Sequence, residues 1–274
     1  MVFARREVVV DELKTSWNRA FIFVARRFWW GSEVPVVVSW HGDCLRWMYQ
    51  RRTLLERRRH VGMRICKLGQ GNEGDGEPMA DKYTSYEALR RRERENFDYR
   101  IRIVRRESAV AIIAPHGGWI EPETSVVAEA IAGDDHNLYC FEGLRDRPHG
   151  DLHVTSTNFD EPQCLELVST CEQIIAVHGM AGRNNQHVEV GGLDAVLRDA
   201  VCKELGDAGY AATVVTSGRL AARSALNICN RGARKAGVQL EITRGLRDAL
   251  RKDAANLRNF ANAVQSALRE HKEL

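Results

Sequence analysis

Residues 110–121 read VAIIAPHGGWIE and join a buried strand to a polar turn. The apolar run 110–114 predicts a strand that is buried on both faces, because such strands are continuous hydrophobic segments. His116 and Glu121 follow five residues apart, on either side of a glycine pair that permits a tightly curled backbone. In open α/β sheets, ligand sites gather where the strands end. The stretch therefore predicts an α/β sheet with a functional site at the end of this strand.

A second stretch repeats this pattern further along the chain. Residues 174–177, IIAV, form an apolar run that ends at His178 and is followed by glycine. If the two strands are neighbours, His178 can reach the point where His116 and Glu121 converge. Two histidines and one carboxylate are the ligands of catalytic zinc sites that keep a fourth position open for water. The alternative, that each histidine is an ordinary turn residue after a strand, stays open from the residues alone.

From Met79 onward, apolar runs and helix caps alternate along the chain. Thr84 or Ser85 can cap a first helix, and Pro122 stands where the first turn of a helix tolerates proline. Strands are predicted at residues 99–104, 108–114, 138–141, 152–156, 173–177, 187–190, 211–216 and 238–243. Helices are predicted at residues 84–96, 121–131, 160–171, 192–209 and from 245 onward. This alternation predicts a single α/β domain with a central mixed β-sheet flanked by helices.

Residues 1–78 differ from this domain in composition and in pattern. They hold five of the six tryptophans and 14 basic against 9 acidic side chains, with no sustained helical or strand period. A glycine- and acid-rich linker at residues 69–77 precedes Met79. We expect a disordered extension, or a translated upstream region added by a misplaced start codon, ahead of a folded domain at residues 79–274. Two alternatives stay open: an extension that packs on the domain or binds a partner, and a basic aromatic arm for a membrane or nucleic acid.

Charge, hydropathy and cysteine spacing limit the possible classes of protein. Residues 79–274 carry 26 basic against 28 acidic side chains, so this domain lacks the net positive charge of a nucleic-acid binder. The absence of an apolar run of about 18 residues and of a persuasive signal peptide predicts no membrane partner and synthesis in the cytoplasm. The seven cysteines include no C-x-x-C pair, which indicates reduced thiols acting as small buried hydrophobes.

Seven short segments follow one another in a recognisable order. They are HGGWIE at 116–121, LHVTS at 152–156, FDEP at 159–162, VHG at 177–179, VGG at 190–192, NICNR at 227–231 and VQLE at 238–241. With these segments, the chain from Met79 to about Leu250 resembles the phage and bacterial poly-γ-glutamate hydrolase family, which is also labelled phage-related replication protein. Residues 1–78 have no counterpart in this resemblance.

The resemblance implies a zinc-carboxypeptidase-like core with zinc held by His116, Glu121 and His178. It also implies that Glu241, on a late strand, is the general base. Zinc lowers the pKa of a bound water toward about 7, and a carboxylate can then accept the proton of that water and pass it to the leaving amine. Without the resemblance, Glu241 fits an exposed strand residue equally well.

A poly-γ-glutamate substrate would present one α-carboxylate per residue, and planar guanidinium groups bind carboxylates with two hydrogen bonds. Arg183 and Arg231 are the candidates for this contact, and Arg244 and Arg247 are weaker ones. His153 is expected to line the cleft or to support a metal ligand. Each arginine alone is also compatible with an ordinary surface position.

These features predict a zinc-dependent amidohydrolase that cleaves γ-glutamyl amide bonds in an anionic polymer. The alternative enzyme is a zinc peptidase or deacylase that acts on another acidic amide. The alternative of another class is a nucleic-acid-associated replication protein without enzymatic activity, which the charge of residues 79–274 disfavours. We expect no nucleic-acid or membrane partner, favour a monomer, and expect release by lysis in a phage setting.

Overall fold

The structure is a computed structural model that describes residues 81–145, residues 150–272 and three β-strands near the N-terminus. The chain divides into two compact units, Met1–Asn72 and Glu73–Leu274. The first unit holds β1 (Val9–Asp11), β2 (Ile22–Trp29) and β3 (Ser32–Ser39) in an antiparallel sheet of that order.

None of these three strands was predicted, because arginine pairs and acidic residues interrupt the short β-branched and aromatic runs of β2 and β3. Residues 40–80, which include the linker and the predicted boundary at Met79, lie outside the described residues. The interpretations of residues 1–78 as an extension or a mis-started segment stay predictions.

The second unit is formed around a sheet of seven strands. They are β4 (Tyr99–Val104), β5 (Val110–Gly118), β6 (Asn137–Gly143), β7 (Gln173–Met180), β8 (Val188–Gly192), β9 (Ala212–Val214) and β10 (Val238–Thr243). Their order is β4-β6-β5-β7-β10-β8-β9. The central strands β6, β5, β7 and β10 run parallel, whereas β4 and β8 pair antiparallel with β6 and β10. The predicted mixed sheet is confirmed.

Helices cover both faces of this sheet. They are α1 (Tyr86–Arg90), α2 (Thr124–Ala132), α3 (Pro162–Thr170), α4 (Ala195–Asp207), α5 (Arg244–Lys252) and α6 (Ala254–Lys272), with short 3₁₀ helices at Arg219–Ala221 and Ile228–Arg231. Val110 and Ile112 of β5 pack in one core with α2, α4, α5 and α6, while Ala111 and Ile113 face the other core with α1 and α3. This alternation explains why residues 110–114 are apolar throughout, because each face of the strand is buried.

Three predicted elements differ in the structure. Residues 152–156 form turns and a loop instead of a strand, because the Val154 carbonyl and the Thr155 amide bond to side chains of His116 and Asp81. The first helix ends at Arg90, well before residue 96. The C-terminal helix is divided at Asp253, whose side chain accepts from the next helix's first amides and so caps α6.

Candidate metal centre and active site

Three of the predicted site residues lie on neighbouring parallel strands. The adjacency of β5 and β7, which the sequence leaves open, is present: residues 110–113 pair in register with residues 173–176. On the next strand, β10, Glu241 is in register with His178. The carboxyl ends of parallel strands share one edge of a sheet, so His116, His178 and Glu241 meet at that edge.

The glycine pair after His116 returns Glu121 to this edge. The register between β5 and β6 shifts between Ala114 and Gly117, and Gly118 has a φ of +61°, which favours glycine. A Cβ on Gly118 would lie 2.4 Å from the Gly143 carbonyl oxygen, so a side chain has no space there. The Glu121 amide then donates to the His116 carbonyl at 2.8 Å. The predicted tight curl is therefore present and brings the two side chains together.

Donor atoms of His116, Glu121 and His178 lie close together, and each histidine faces a different oxygen of Glu121. His116 Nδ1 lies 3.2 Å from Glu121 Oε1 and 3.1 Å from His178 Nδ1, and His178 Nδ1 lies 3.7 Å from Glu121 Oε2. Ligands of a tetrahedral zinc ion at 2.0–2.1 Å stand about 3.3 Å apart. Two ring nitrogens at 3.1 Å also need a proton or a cation between them. The spacing and the donor types both fit a zinc ion at this point.

The outer ring nitrogens of the two histidines fix their orientation. His116 Nε2 lies 2.8 Å from the Val154 carbonyl oxygen, which can only accept, so Nε2 carries the proton and Nδ1 presents a lone pair inward. His178 Nε2 lies 3.3 Å from Ser156 Oγ. Outward hydrogen bonds of this kind hold metal-binding histidines in the correct tautomer and orientation. Both partners come from the 152–156 segment that was predicted as a strand.

His153 adds a third imidazole to the cluster. Its ring centroid is 3.9 Å from that of His116, and donor atoms of His116, Glu121 and His153 all lie within 4.8 Å of one another. His153 Nδ1 is 2.6 Å from Asp81 Oδ1, which leaves Nε2 facing Glu121 Oε1 at 3.8 Å. The structure thus brings His153 to the centre with its own carboxylate partner, Asp81, which the sequence analysis missed.

Burial and neighbouring charges shift the pKa values of the two site glutamates, Glu121 and Glu241, in opposite directions. Burial raises the pKa of Glu121, but the adjacent His116 and His178 outweigh this effect and hold that pKa well below its usual range. Burial, followed by the negative charge of Glu121, raises the pKa of Glu241 to about 8. Two carboxyl groups with separated pKa values are a common arrangement in acid–base active sites.

Hydrogen bonds hold Glu241 in place from one side. Gln239 Nε2 donates to Glu241 Oε1 at 2.9 Å, and Asn227 Nδ2 donates to Gln239 Oε1 at 3.0 Å. All three side chains are buried. Asn227 and Gln239 belong to the NICNR and VQLE segments. Gln239 orients one oxygen of Glu241, and Asn227 orients Gln239.

The cluster opens into a cavity of about 650 Å³. Its lining includes the metal-site candidates and Glu241, together with Asp81, residues 155–157, residues 179–181, Asn227, Gln239 and two cations, Lys82 and Arg219. Arg219 was not predicted as a site residue; it begins the 3₁₀ helix Arg219–Ala221 directly after Ser217 and Gly218, and no distinguishing pattern marks it. Lys82 pairs with Glu93 at 2.9 Å, whereas Arg219 has no hydrogen-bonded partner among the described residues.

The arginines predicted to bind substrate do not line this cavity. Arg231 borders a separate cavity of about 440 Å³, and its Nη1 donates to the Phe159 carbonyl at 3.4 Å. Arg244 pairs with Asp248 at 2.6 Å, and Arg183 is exposed outside the lining. Arg247 is buried beneath the site instead of facing it. Sequence spacing could not distinguish these positions, because each arginine follows a glycine or a turn near a predicted strand end.

A mixed α/β sheet with parallel central strands and helices on both faces defines a protein with a zinc-carboxypeptidase-like fold. The chain belongs to the poly-gamma-glutamate hydrolase family, whose model matches residues 83–268. This confirms the resemblance found in the sequence.

Among the described residues, no helix is long and apolar enough to cross a membrane.

Relatives and solved structures agree with this assignment. The SPbeta prophage-derived UPF0714 protein YoqZ of Bacillus subtilis (strain 168) is 39% identical over 165 residues, which are 60% of this chain and 59% of YoqZ. The UPF0714 protein YndL of the same organism is 35% identical over 171 residues, which are 62% of this chain and 67% of YndL.

A bacteriophage poly-gamma-glutamate hydrolase structure superposes with a TM-score of 0.67 at 32% identity, covering 70% of this chain and 99% of that chain. A zinc-free (apo) structure of YndL superposes with a TM-score of 0.64, also at 32% identity, covering 69% of this chain and 98% of that chain.

Proposed function

We propose that this protein is a zinc-dependent hydrolase of γ-glutamyl amide bonds in poly-γ-glutamate. The observation that carries the proposal is the convergence of His116, Glu121 and His178 donor atoms, 3.1–3.7 Å apart, in the cavity that Glu241 also lines. Family membership supplies the substrate class. The zinc-free structure of a relative supports the choice of metal.

His116, Glu121 and His178 would hold the metal, and His153 stands beside them as a fourth candidate donor. When bound, zinc would acidify a water and polarise the scissile carbonyl. Asp81 keeps His153 turned toward the cluster, and the Val154 carbonyl keeps the proton of His116 on its outer nitrogen. These contacts orient the donors before any substrate arrives.

Glu241 would act as the general base. Its Oε1 is held by Gln239, so Oε2 is the oxygen that takes the proton from the attacking water and gives it to the leaving amine nitrogen. A zinc ion held by the neighbouring cluster would favour the charged form of Glu241, which a base requires. The buried Asn227–Gln239 pair keeps the carboxylate from rotating away.

Arg219 would bind an α-carboxylate of the polymer. It is a guanidinium on the cavity lining, and guanidinium groups grip carboxylates with two parallel hydrogen bonds. Any contact of Arg183, Arg231 or Arg244 with the polymer would lie beyond this cavity. The proposed partner is therefore an anionic polymer. We further propose synthesis in the cytoplasm with release on lysis, and no nucleic-acid or membrane partner.

The decisive experiment combines metal analysis of the purified full chain with cleavage assays on two polymers. We expect about one zinc per chain and a fall in the viscosity of poly-γ-glutamate, with little cleavage of α-linked polyglutamate. Equal cleavage of both polymers would favour the alternative peptidase or deacylase. Zinc binding without cleavage of either would contradict the proposed substrate class.

The role of Arg219 is tested by Arg219→Lys, which keeps the charge and loses the planar fork. We expect a several-fold lower kcat/KM on poly-γ-glutamate and unchanged zinc content. Arg231→Lys is the matched control and should behave like the unchanged protein. A lower kcat/KM in Arg231→Lys with no change in Arg219→Lys would assign the α-carboxylate contact to Arg231, as the sequence predicts.

A further inference from the structure

We propose that Arg247 is a positioning residue that ties together, from beneath the cavity, the three chain segments that carry Glu121, His178 and Glu241. The proposal rests on the proposed function, since it gives these three residues their roles. It concerns a side chain of α5 that does not line the cavity.

All three nitrogens of the Arg247 guanidinium donate to backbone carbonyls of different segments. Nη1 donates to Pro122, Nη2 to Met180 at 3.0 Å and Nε to Ile242 at 3.0 Å. Pro122 directly follows Glu121, Met180 is two residues after His178, and Ile242 directly follows Glu241. One planar group thus sets the separation of three site-bearing segments that are remote in sequence.

The burial of this cation is unusual because no carboxylate pairs with it. Arg247 is 4% exposed, and among the described residues it forms no ion pair. Burial lowers its pKa, against the opposing negative charge of Glu121. Burying a charge without an ion-pair partner is costly, so a purely structural clamp would be better made from neutral groups. A buried cation whose three hydrogen bonds all go to segments that carry site residues is consistent with a functional purpose.

Gly179 shows that the backbone makes room for this group. A Cβ at Gly179 would lie 2.4 Å from Arg247 Cζ, 2.6 Å from Nη1 and 2.7 Å from Nη2. The φ of Gly179 is outside the left-handed region, so space is the reason for glycine here. The Gly179 amide also donates to Glu121 Oε2 at 2.8 Å. The glycine after His178 therefore lets the guanidinium lie directly under the metal-site candidates.

The test uses the full chain and two independent variants. Arg247→Lys keeps a positive charge but cannot donate to three carbonyls in one plane. Gly179→Ala keeps the guanidinium but displaces it with a methyl group. For each variant we would measure zinc affinity by competition with a chelator, kcat and KM on poly-γ-glutamate, and Tm.

We expect both variants to weaken zinc affinity about 10–100-fold, the range typical of residues that orient metal ligands. For Arg247→Lys we expect kcat to fall while KM changes little, because Arg247 does not line the cavity that meets the polymer. The double variant should lose less than the product of the two single losses, since both changes break the same three hydrogen bonds of the guanidinium. Leu250→Ala, a fully buried residue of α5, is the matched control: it should lower Tm with zinc affinity unchanged.

A lower Tm in Arg247→Lys with unchanged zinc affinity and kcat would overturn the proposal and leave Arg247 a structural residue. If Arg247→Lys does not fold, zinc affinity, kcat and Tm of Gly179→Ala test the proposal in its place. Failure of the proposed function is distinguishable. If the unchanged chain binds zinc but does not cleave the polymer, the proposed function is contradicted and the Arg247 proposal is not. The zinc affinities of the two variants then still test whether Arg247 positions the site. No zinc binding by the unchanged chain overturns both.

Discussion

The two walls of the cavity are held by different forces. The strand wall consists of the ends of β5, β7 and β10 with the turn at residues 117–121, and its backbone is fixed by the sheet and by the apolar cores on both faces. The loop wall consists of residues 81–83 and 151–157, and side-chain hydrogen bonds hold it. The Asp81 carboxylate makes three of these hydrogen bonds. It accepts from the His153 ring, from the Thr155 amide and from the Thr155 hydroxyl, each at 2.6 Å.

This difference indicates that the two walls have different roles in the site. The strand wall carries the three predicted metal ligands and the predicted base, so its geometry is as rigid as the sheet. The loop wall supplies the partners that orient those side chains, namely the Val154 carbonyl for His116 and the Ser156 hydroxyl for His178. Changes in the strand wall should therefore abolish a step, whereas changes in the loop wall should weaken it.

The largest effect is expected from removing a strand-wall ligand. His178→Ala should lose most of the zinc and nearly all activity, because one of three converging donors is gone. His153→Ala, the comparison from the loop wall, should retain most of the zinc. Metal content after dialysis measures both. Loss of zinc only in His153→Ala would move the third ligand to the loop wall and make His178 an orienting residue.

Glu241→Gln comes next, because it removes one function of the strand wall and keeps the metal. An amide cannot accept the proton of water, so kcat should fall by roughly 10²–10⁴-fold with normal zinc content. The Gln239→Leu variant removes the donor to Glu241 Oε1 and should lose less. Turnover of Glu241→Gln close to that of the unchanged protein would assign the base to another residue.

Asp81→Asn tests the loop wall directly. The amide keeps the shape but weakens the contacts to His153 and Thr155, so zinc affinity or activity should fall about 10–100-fold. Asp207→Asn, which loses an exposed ion pair to Lys203 on α4, is the control and should change little. A loss as complete as that of His178→Ala would mean that the loop wall contributes a ligand of its own.

The same division explains what could be predicted from the sequence. His116 and His178 could be found because each ends an apolar run, and apolar runs mark buried strands. Their adjacency depends on the pairing of β5 with β7, which no local pattern records, and the role of Glu241 came from the family resemblance. Asp81 lies 72 residues from His153, so their contact is purely tertiary. Residues 152–156 have the β-branched composition of a strand, yet their backbone groups bond to side chains of the site.

The smallest effect concerns the acid stability of the loop wall. The buried Glu93 carboxylate accepts from Lys82, Tyr83 and Arg145, and so anchors the segment that bears Asp81. Burial raises its pKa, but the hydrogen bonds from Tyr83, Lys82 and Arg145 outweigh this and lower the pKa to about 2.

Because the folded pKa is depressed, the stabilisation is fully present above the unfolded value of about 4.5 and is lost as the pH falls toward 2. Glu93→Gln should lower Tm at neutral pH by a few degrees, since losing a hydrogen bond to a charged group costs about 1.5–3 kcal/mol. The difference in Tm from the unchanged protein should be constant above pH 5 and shrink below pH 4.5. Glu166→Gln, which breaks an exposed pair with Arg105, should show almost no difference at any pH. A Glu93→Gln difference that persists undiminished at pH 3 would mean that packing, and not the carboxylate charge, anchors the loop wall.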